Sequence, residues 1–240
     1  MFLNPAMSAA LDRIVERAAD VRRAFSPGDI PTHDDVATAA PASDFSLDPL
    51  SVAPPKDLYF VTSDARGRVA YTRNGCFTLQ DGTLSSAQGR SILGMRVPGA
   101  PLGELRVDPV DELLGRVENP RVEADGSLVY QRNAIDPRTG ARASQRVLVG
   151  RIAVARFPAG TRLARSGEDD LVCPPGVAVK IGVPGVGEDS TLRPMRRERS
   201  RVDLDASLVR LKDAYLSFDA LQAAETAKGR LGKTAMDLLK

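Results

Sequence analysis

The chain is poor in the residues from which most chemical sites are built. It has a single histidine, His33, and two cysteines, Cys76 and Cys173, among 240 residues. A structural zinc centre takes four nitrogen or sulfur ligands, so these three side chains exclude one of the usual kind. The cysteines are far apart in sequence, and two buried free thiols are expected rather than a disulfide. An excess of charge of one sign is also lacking: 33 Lys and Arg stand against 31 Asp and Glu, a formal net charge of +2. Such a balance predicts no nucleic-acid or membrane surface. No apolar run approaches the length of a membrane span. The amino-terminal residues carry charges from Asp12 onward and no uninterrupted apolar core, so a cleaved secretory signal is not expected.

Catalytic constellations are equally scarce. His33 lies in a proline-rich stretch with no nucleophile beside it. Asp108, Asp111 and Glu112 form the densest carboxylate group, but acid–base work needs two carboxyls in opposed environments facing one cleft, and nothing in the sequence points to that. They are expected to solubilise a loop. In the stretch IGVPGVG, Gly182, Gly185 and Gly187 follow a strand but precede no helix, so they mark turns rather than a phosphate-binding loop. The expectation is a protein without a catalytic site, cofactor, metal or small-molecule substrate.

What the sequence does contain is a β-rich middle between two helical ends. From Met7 the apolar positions Leu11, Ile14, Ala18, Val21 and Phe25 recur at steps of four and three, with charged residues between them. That is a heptad seam, and Ser26-Pro27-Gly28 stops the helix. Residues 27–57 hold six prolines with many small polar residues and are expected to be an extended or mobile linker. The segment 58–94 then reads as a meander of short strands. Its turns include Asn74-Gly75, a pair suited to positive φ, and Asp81-Gly82. Further strands are expected at Leu105–Val107, Arg121–Glu123, Ser127–Tyr130, Gln145–Phe157, Leu171-Val172 and Ala178–Ile181. Asp136–Gly140 reads as a loop, Gly150 as a bulge or close approach, and Tyr71, Phe77 and Phe157 as core residues.

After a run of arginines (Arg193, Arg196, Arg197, Arg199 and Arg201), a second long helix is expected from about Val202 to Lys240. Its seam reads Leu204, Leu208, Leu211, Tyr215, Phe218, Gln222 and Glu225, then shifts phase to Ala224, Lys228, Leu231, Ala235 and Leu238. Neither terminal helix can bury its stripe alone. The predicted architecture is mainly β with terminal α-helices: a β-rich sandwich or open-barrel domain on a coiled-coil-like stem formed by the two ends. The divisions are 1–26 for the first helix, 27–57 for the linker, 58–198 for the β domain and 199–240 for the last helix.

At this point the residues resemble a known family. Tyr71-Thr72-Arg73-Asn74-Gly75-Cys76-Phe77-Thr78-Leu79, followed by Gly82-Thr83-Leu84 and Gly89-Arg90-Ser91-Ile92-Leu93-Gly94, is similar to the motif of the rod and hook axial proteins of the bacterial flagellar basal body. Glu123–Val129 is similar to a second element, and Val149–Phe157 with Leu163, Gly167 and Leu171 to a third. Glu198, Ser200 and Val202 echo the segment before the family's last helix. The asparagine-rich stretch that follows the family's first helix reads Ala24-Phe25-Ser26-Pro27-Gly28-Asp29-Ile30-Pro31-Thr32-His33 here, without those asparagines.

The resemblance implies a rod-type structural subunit that polymerises through its terminal helices. It implies partners among other rod and hook subunits and further copies of itself. It also implies export by the flagellar type III apparatus without a cleaved signal, and a place in the basal body. Assembly would then fall to Leu11, Ile14, Val21, Leu208, Leu211, Tyr215 and Phe218. A monomeric binding or regulatory module that has lost polymerisation is the alternative, motivated by the missing asparagines at 24–33 and by the departure at 191–202, where only Glu198, Ser200 and Val202 echo the family segment.

Overall fold

A computed structural model describes residues 4–29, 42–55, 57–97, 99–135, 142–167, 169–186 and 191–238. His33, Gly187 and the expected loop at 136–140 lie outside the described residues. The chain is mainly β, with a helix near each end, and divides into two units. A helical unit takes residues 1–25, 30–39 and 200–240; a β unit takes 26–29 and 40–199.

The elements run as follows. Helix α1 spans Pro5–Arg23, and strands β1 (Ser43–Phe45) and β2 (Val52–Ala53) follow it. The meander contains β3 (Leu58–Ser63), β4 (Val69–Thr72), β5 (Phe77–Gln80), β6 (Thr83–Ser86) and β7 (Ser91–Met95). Strand β8 (Gly103–Glu104) and the short helix α2 (Pro109–Leu113) lead to β9 (Val117–Val122), β10 (Ser127–Ile135), β11 (Arg142–Ile152) and β12 (Val154–Arg156). Short strands complete the β unit: β13 (Ala164–Arg165), β14 (Leu171–Val172), β15 (Lys180–Gly182), β16 (Arg193–Pro194) and β17 (Arg196–Glu198). Helix α3 spans Leu204–Leu238.

All strand pairs among the described residues are antiparallel. The longest path of paired strands runs β13-β14-β4-β3-β7-β11-β10-β9, with β12 beside β3 and the β5–β6 hairpin and β8 attached at β7. Strands β3 and β7 change partners along their length, so the pairings branch. Leu58, Phe60, Phe77, Leu84, Ile92, Leu105, Leu128, Ile152 and Val154 fill the core, and the Phe60 and Phe77 rings meet edge to face at 5.0 Å. Tyr71 is buried, and Phe157, half-buried, is met edge to face by both Tyr59 and Tyr71. Where β10 meets β11 the register shifts opposite Gly150, whose missing side chain leaves room for Leu105 and the Met95 carbonyl.

Two expectations need correction. The proline-rich segment, expected to be extended or mobile, is extended where it is described, but there it is part of the β unit and not a linker. Strand β1 pairs with β17 and β2 with β16, and Leu50, Val52 and Ala53 are buried in the β unit. Prolines hold the backbone extended, and the partner strands come from the far end of the β unit's sequence, beyond the reach of a local reading. Asn74-Gly75, for its part, is not a positive-φ turn: neither residue has positive φ. Gly75 is required because a Cβ there would lie 1.7 Å from the Val52 carbonyl oxygen, while its own carbonyl accepts from the Val52 N–H at 3.0 Å. The turn that does use positive φ is Asp81-Gly82 (47° and 71°), a two-residue connection between the paired Gln80 and Thr83. Both residues in the left-handed region match the twist of the flanking strands.

Candidate assembly surface and the braces behind it

Helix α1 begins where Asn4 caps it, its side chain accepting from the Ala6 N–H at 3.1 Å, with Pro5 in the first turn. Proline is tolerated there because that N–H has no helical partner. Arg22 and Arg23 in the last turn complement the helix dipole. Helices α1 and α3 pack against each other. On α1 the expected seam positions Met7, Leu11, Ile14, Ala18 and Val21 are covered, together with Ala10, but Phe25, expected to end that seam, lies beyond the helix and is exposed. Asp20 is also buried there, held by Arg23 at 2.9 Å and Arg17 at 3.7 Å.

On α3 a covered seam runs through Leu204, Ser207, Leu211, Ala214, Phe218, Leu221 and Glu225, alternately three and four apart, with Ala206 and Arg210 also partly covered. Asn4 Nδ2 donates to Glu225 Oε1 at 2.5 Å. Beyond Glu225 every described side chain is exposed, Leu231 and Leu238 included. The expected phase shift to a second covered seam is therefore absent among the described residues. The first seam also differs from expectation at alternate steps: Ser207, Ala214 and Leu221 face inward, not Leu208, Tyr215 and Gln222. Small residues at a helix crossing allow close approach of the axes. A reading that takes the bulkiest residue at each step misses them.

Of the seven residues expected at the assembly surface, Leu11, Ile14, Val21, Leu211 and Phe218 are partly or fully covered within the chain. Leu208 and Tyr215 are 46% and 50% exposed, and Val209 and Leu216 beside them are more so. The structure thus divides α3 into an inward seam and an outward apolar stripe.

The β unit is braced by buried polar groups. Arg73, between β4 and β5, and Glu198, at the end of β17, are both almost wholly enclosed. Arg73 Nη2 lies 2.7 Å from Glu198 Oε2 and Arg73 Nε donates to the same carboxylate at 3.0 Å. The remaining guanidinium donors reach the Leu58 carbonyl at 2.7 Å and the Pro55 carbonyl at 3.1 Å, and the Tyr59 ring lies 5.3 Å away. A buried ion pair is tolerable only when every donor is satisfied in this way. Asn74 Nδ2 donates to Asp169 Oδ2 at 2.7 Å, and its Oδ1 accepts from the Cys76 N–H at 3.1 Å. The Arg-Asn-Gly stretch thus ties the meander to segments far along the chain.

The carboxylate group around α2 is a second brace. Asp108 caps the helix, accepting from the Val110 N–H at 2.9 Å. Asp111 is buried, accepts from the Tyr130 hydroxyl at 2.5 Å and pairs with Arg132, which also reaches Asp108 at 3.4 Å. Burial pushes the Asp111 carboxyl up, but the Tyr130 and Arg132 bonds outweigh it and hold it below the usual range. Burial and the same bond raise the Tyr130 phenol. Cys76 and Cys173 are free and half-buried, with burial raising the Cys76 thiol. Gly185 sits at a turn with φ of 74°. Among the described residues no His, Cys, Asp and Glu cluster is arranged to hold a metal, and no helix is long and apolar enough to cross a membrane.

Compared with known proteins, the chain matches no family model and no curated protein sequence.

Proposed function

We propose that this chain is a structural subunit of the bacterial flagellar basal-body rod, whose terminal helices form a coiled-coil-like stem and polymerise with those of neighbouring copies and other axial subunits. The observation that carries this reading is the outward stripe of α3. After α1 has covered the inward seam, Leu208, Val209, Tyr215 and Leu216 stay exposed and Thr226–Leu238 continue with exposed Leu231 and Leu238. A contiguous exposed apolar surface marks an interaction site, and repetition of one non-closing interface makes a filament. The motif residues that resemble the axial family support the same reading, and export through the flagellar apparatus follows from it.

The test separates outward from inward residues. Leu208→Asp with Tyr215→Asp leaves the pairing of α1 with α3 and the β unit folded, and abolishes incorporation into isolated basal bodies and swimming. Normal motility and normal incorporation of that variant refute the proposal.

A further inference from the structure

Helix α2 is inverted relative to an ordinary surface helix. Its aspartate, Asp111, points inward, while Val110, Leu113 and Leu114 are 58%, 86% and 53% exposed. These three positions are spaced three and four apart, so they form one face. The burial of Asp111 against Tyr130 and Arg132 fixes that face outward. The surrounding sequence is acidic: residues 102–119 hold five carboxylates and two arginines, Arg106 and Arg116. Of the five, Asp108 and Asp111 are engaged by Arg132, which leaves Glu104, Glu112 and Glu118 with no ion pair among the described residues.

The β1–β17 ribbon carries the opposite combination. Phe45 is 63%, Leu47 84% and Met195 38% exposed. They sit together, because the Ser46 N–H donates to the Met195 carbonyl at 2.9 Å and Phe45 is the register partner of Arg196. Arg193, Arg196 and Arg197 are exposed around them. The neighbouring carboxylates are engaged elsewhere: Asp44 by Arg199, Glu198 by Arg73, and Asp48 by the Leu50 N–H and Ser51 hydroxyl.

We infer that the acidic apolar face of α2 docks on the basic apolar β1–β17 ribbon of a second copy of this chain. The two patches are built from different residues of the β unit, so a contact that uses one patch of each copy leaves the other patch free and propagates from copy to copy. Apolar side chains supply the buried centre and the charges set orientation and partner choice. This rests on the reading of the chain as a self-assembling subunit. It adds a contact between β units to the one made by the terminal helices.

Sedimentation velocity of the full chain over a concentration series tests it, with thermal unfolding as the check on folding. The wild type associates, and Leu113→Arg weakens that association at equal concentration. Two charge-reversed variants, Arg193→Glu/Arg196→Glu on the ribbon and Glu112→Arg/Glu118→Arg at α2, each associate more weakly than the wild type alone. Mixed in equal amounts they associate more strongly again, because each supplies the surface the other needs. Wild-type association that none of these variants weakens overturns the inference and leaves the helix-driven reading standing. A chain that stays monomeric at its highest soluble concentration overturns both.

Discussion

Removing the Glu198 carboxylate is the most informative single change in the β unit. In Glu198→Ala the Arg73 guanidinium stays enclosed, with the Leu58 and Pro55 carbonyls and the Tyr59 ring as its remaining neighbours among the contacts described. A buried charge stripped of its counter-ion costs about 3–5 kcal/mol. Domains of this kind are stable by roughly 5–15 kcal/mol in total, so the loss is a large fraction of the whole. At about 2–4 °C per kcal/mol for a protein of this size, the midpoint falls by roughly 6–20 °C. Far-UV circular dichroism during heating and urea titration reads the change, since the chain has no tryptophan to report by fluorescence. The partner experiment removes both charges. Arg73→Met with Glu198→Leu recovers most or all of the loss, because an apolar pair of similar volume incurs no ionic desolvation. A Glu198→Ala variant within about 1 kcal/mol of wild type refutes the reasoning. So does a double variant no more stable than the single one.

Three further outcomes follow from the geometry. Gly75→Ala drives a methyl into the Val52 carbonyl and destabilises the β unit by about 1–3 kcal/mol, read by urea unfolding. Ser207→Ala removes a buried hydroxyl that has no hydrogen-bond partner among the described residues and improves helix propensity, so it stabilises the helical unit by about 1 kcal/mol; a loss of stability on thermal melting contradicts this. Asp111 has a carboxyl held below its ordinary value in the fold. Its contribution is therefore present above the ordinary carboxylate range and is lost as the pH falls through the lowered value. Asp111→Asn flattens the acid limb of the stability–pH curve, and an unchanged acid limb contradicts the assignment.

The meander is the part most legible in the sequence, because its strands are short, its turns local and its apolar positions dense. Leu58–Ser63 and Phe77–Gln80 are found where alternation and turn residues place them. The heptad on α1 is legible for the same reason: its spacing is a property of one helix. The α3 surface is only half legible. Leu211 and Phe218 face inward as expected, but Leu208 and Tyr215 do not, since two apolar stripes share the helix and only the partner's position chooses between them. The strands at 43–45 and 52–53 left no local trace, as they are short, proline-flanked and exist through pairing with residues 193–198.

By itself the sequence determined the mainly β middle, the two helical ends and the scarcity of metal-ligating side chains, because composition and periodicity act within a few residues. Tertiary structure alone decided the roles of Arg73 and Gly75 and the direction in which α2 and α3 present their leucines. Nothing local in the sequence marks Arg73 for burial until Glu198 arrives from the other end of the β unit. Gly75 reads as a turn until the Val52 backbone passes within contact of it. Burial of a charge, or of a bare backbone, is a property of what comes from elsewhere in the chain.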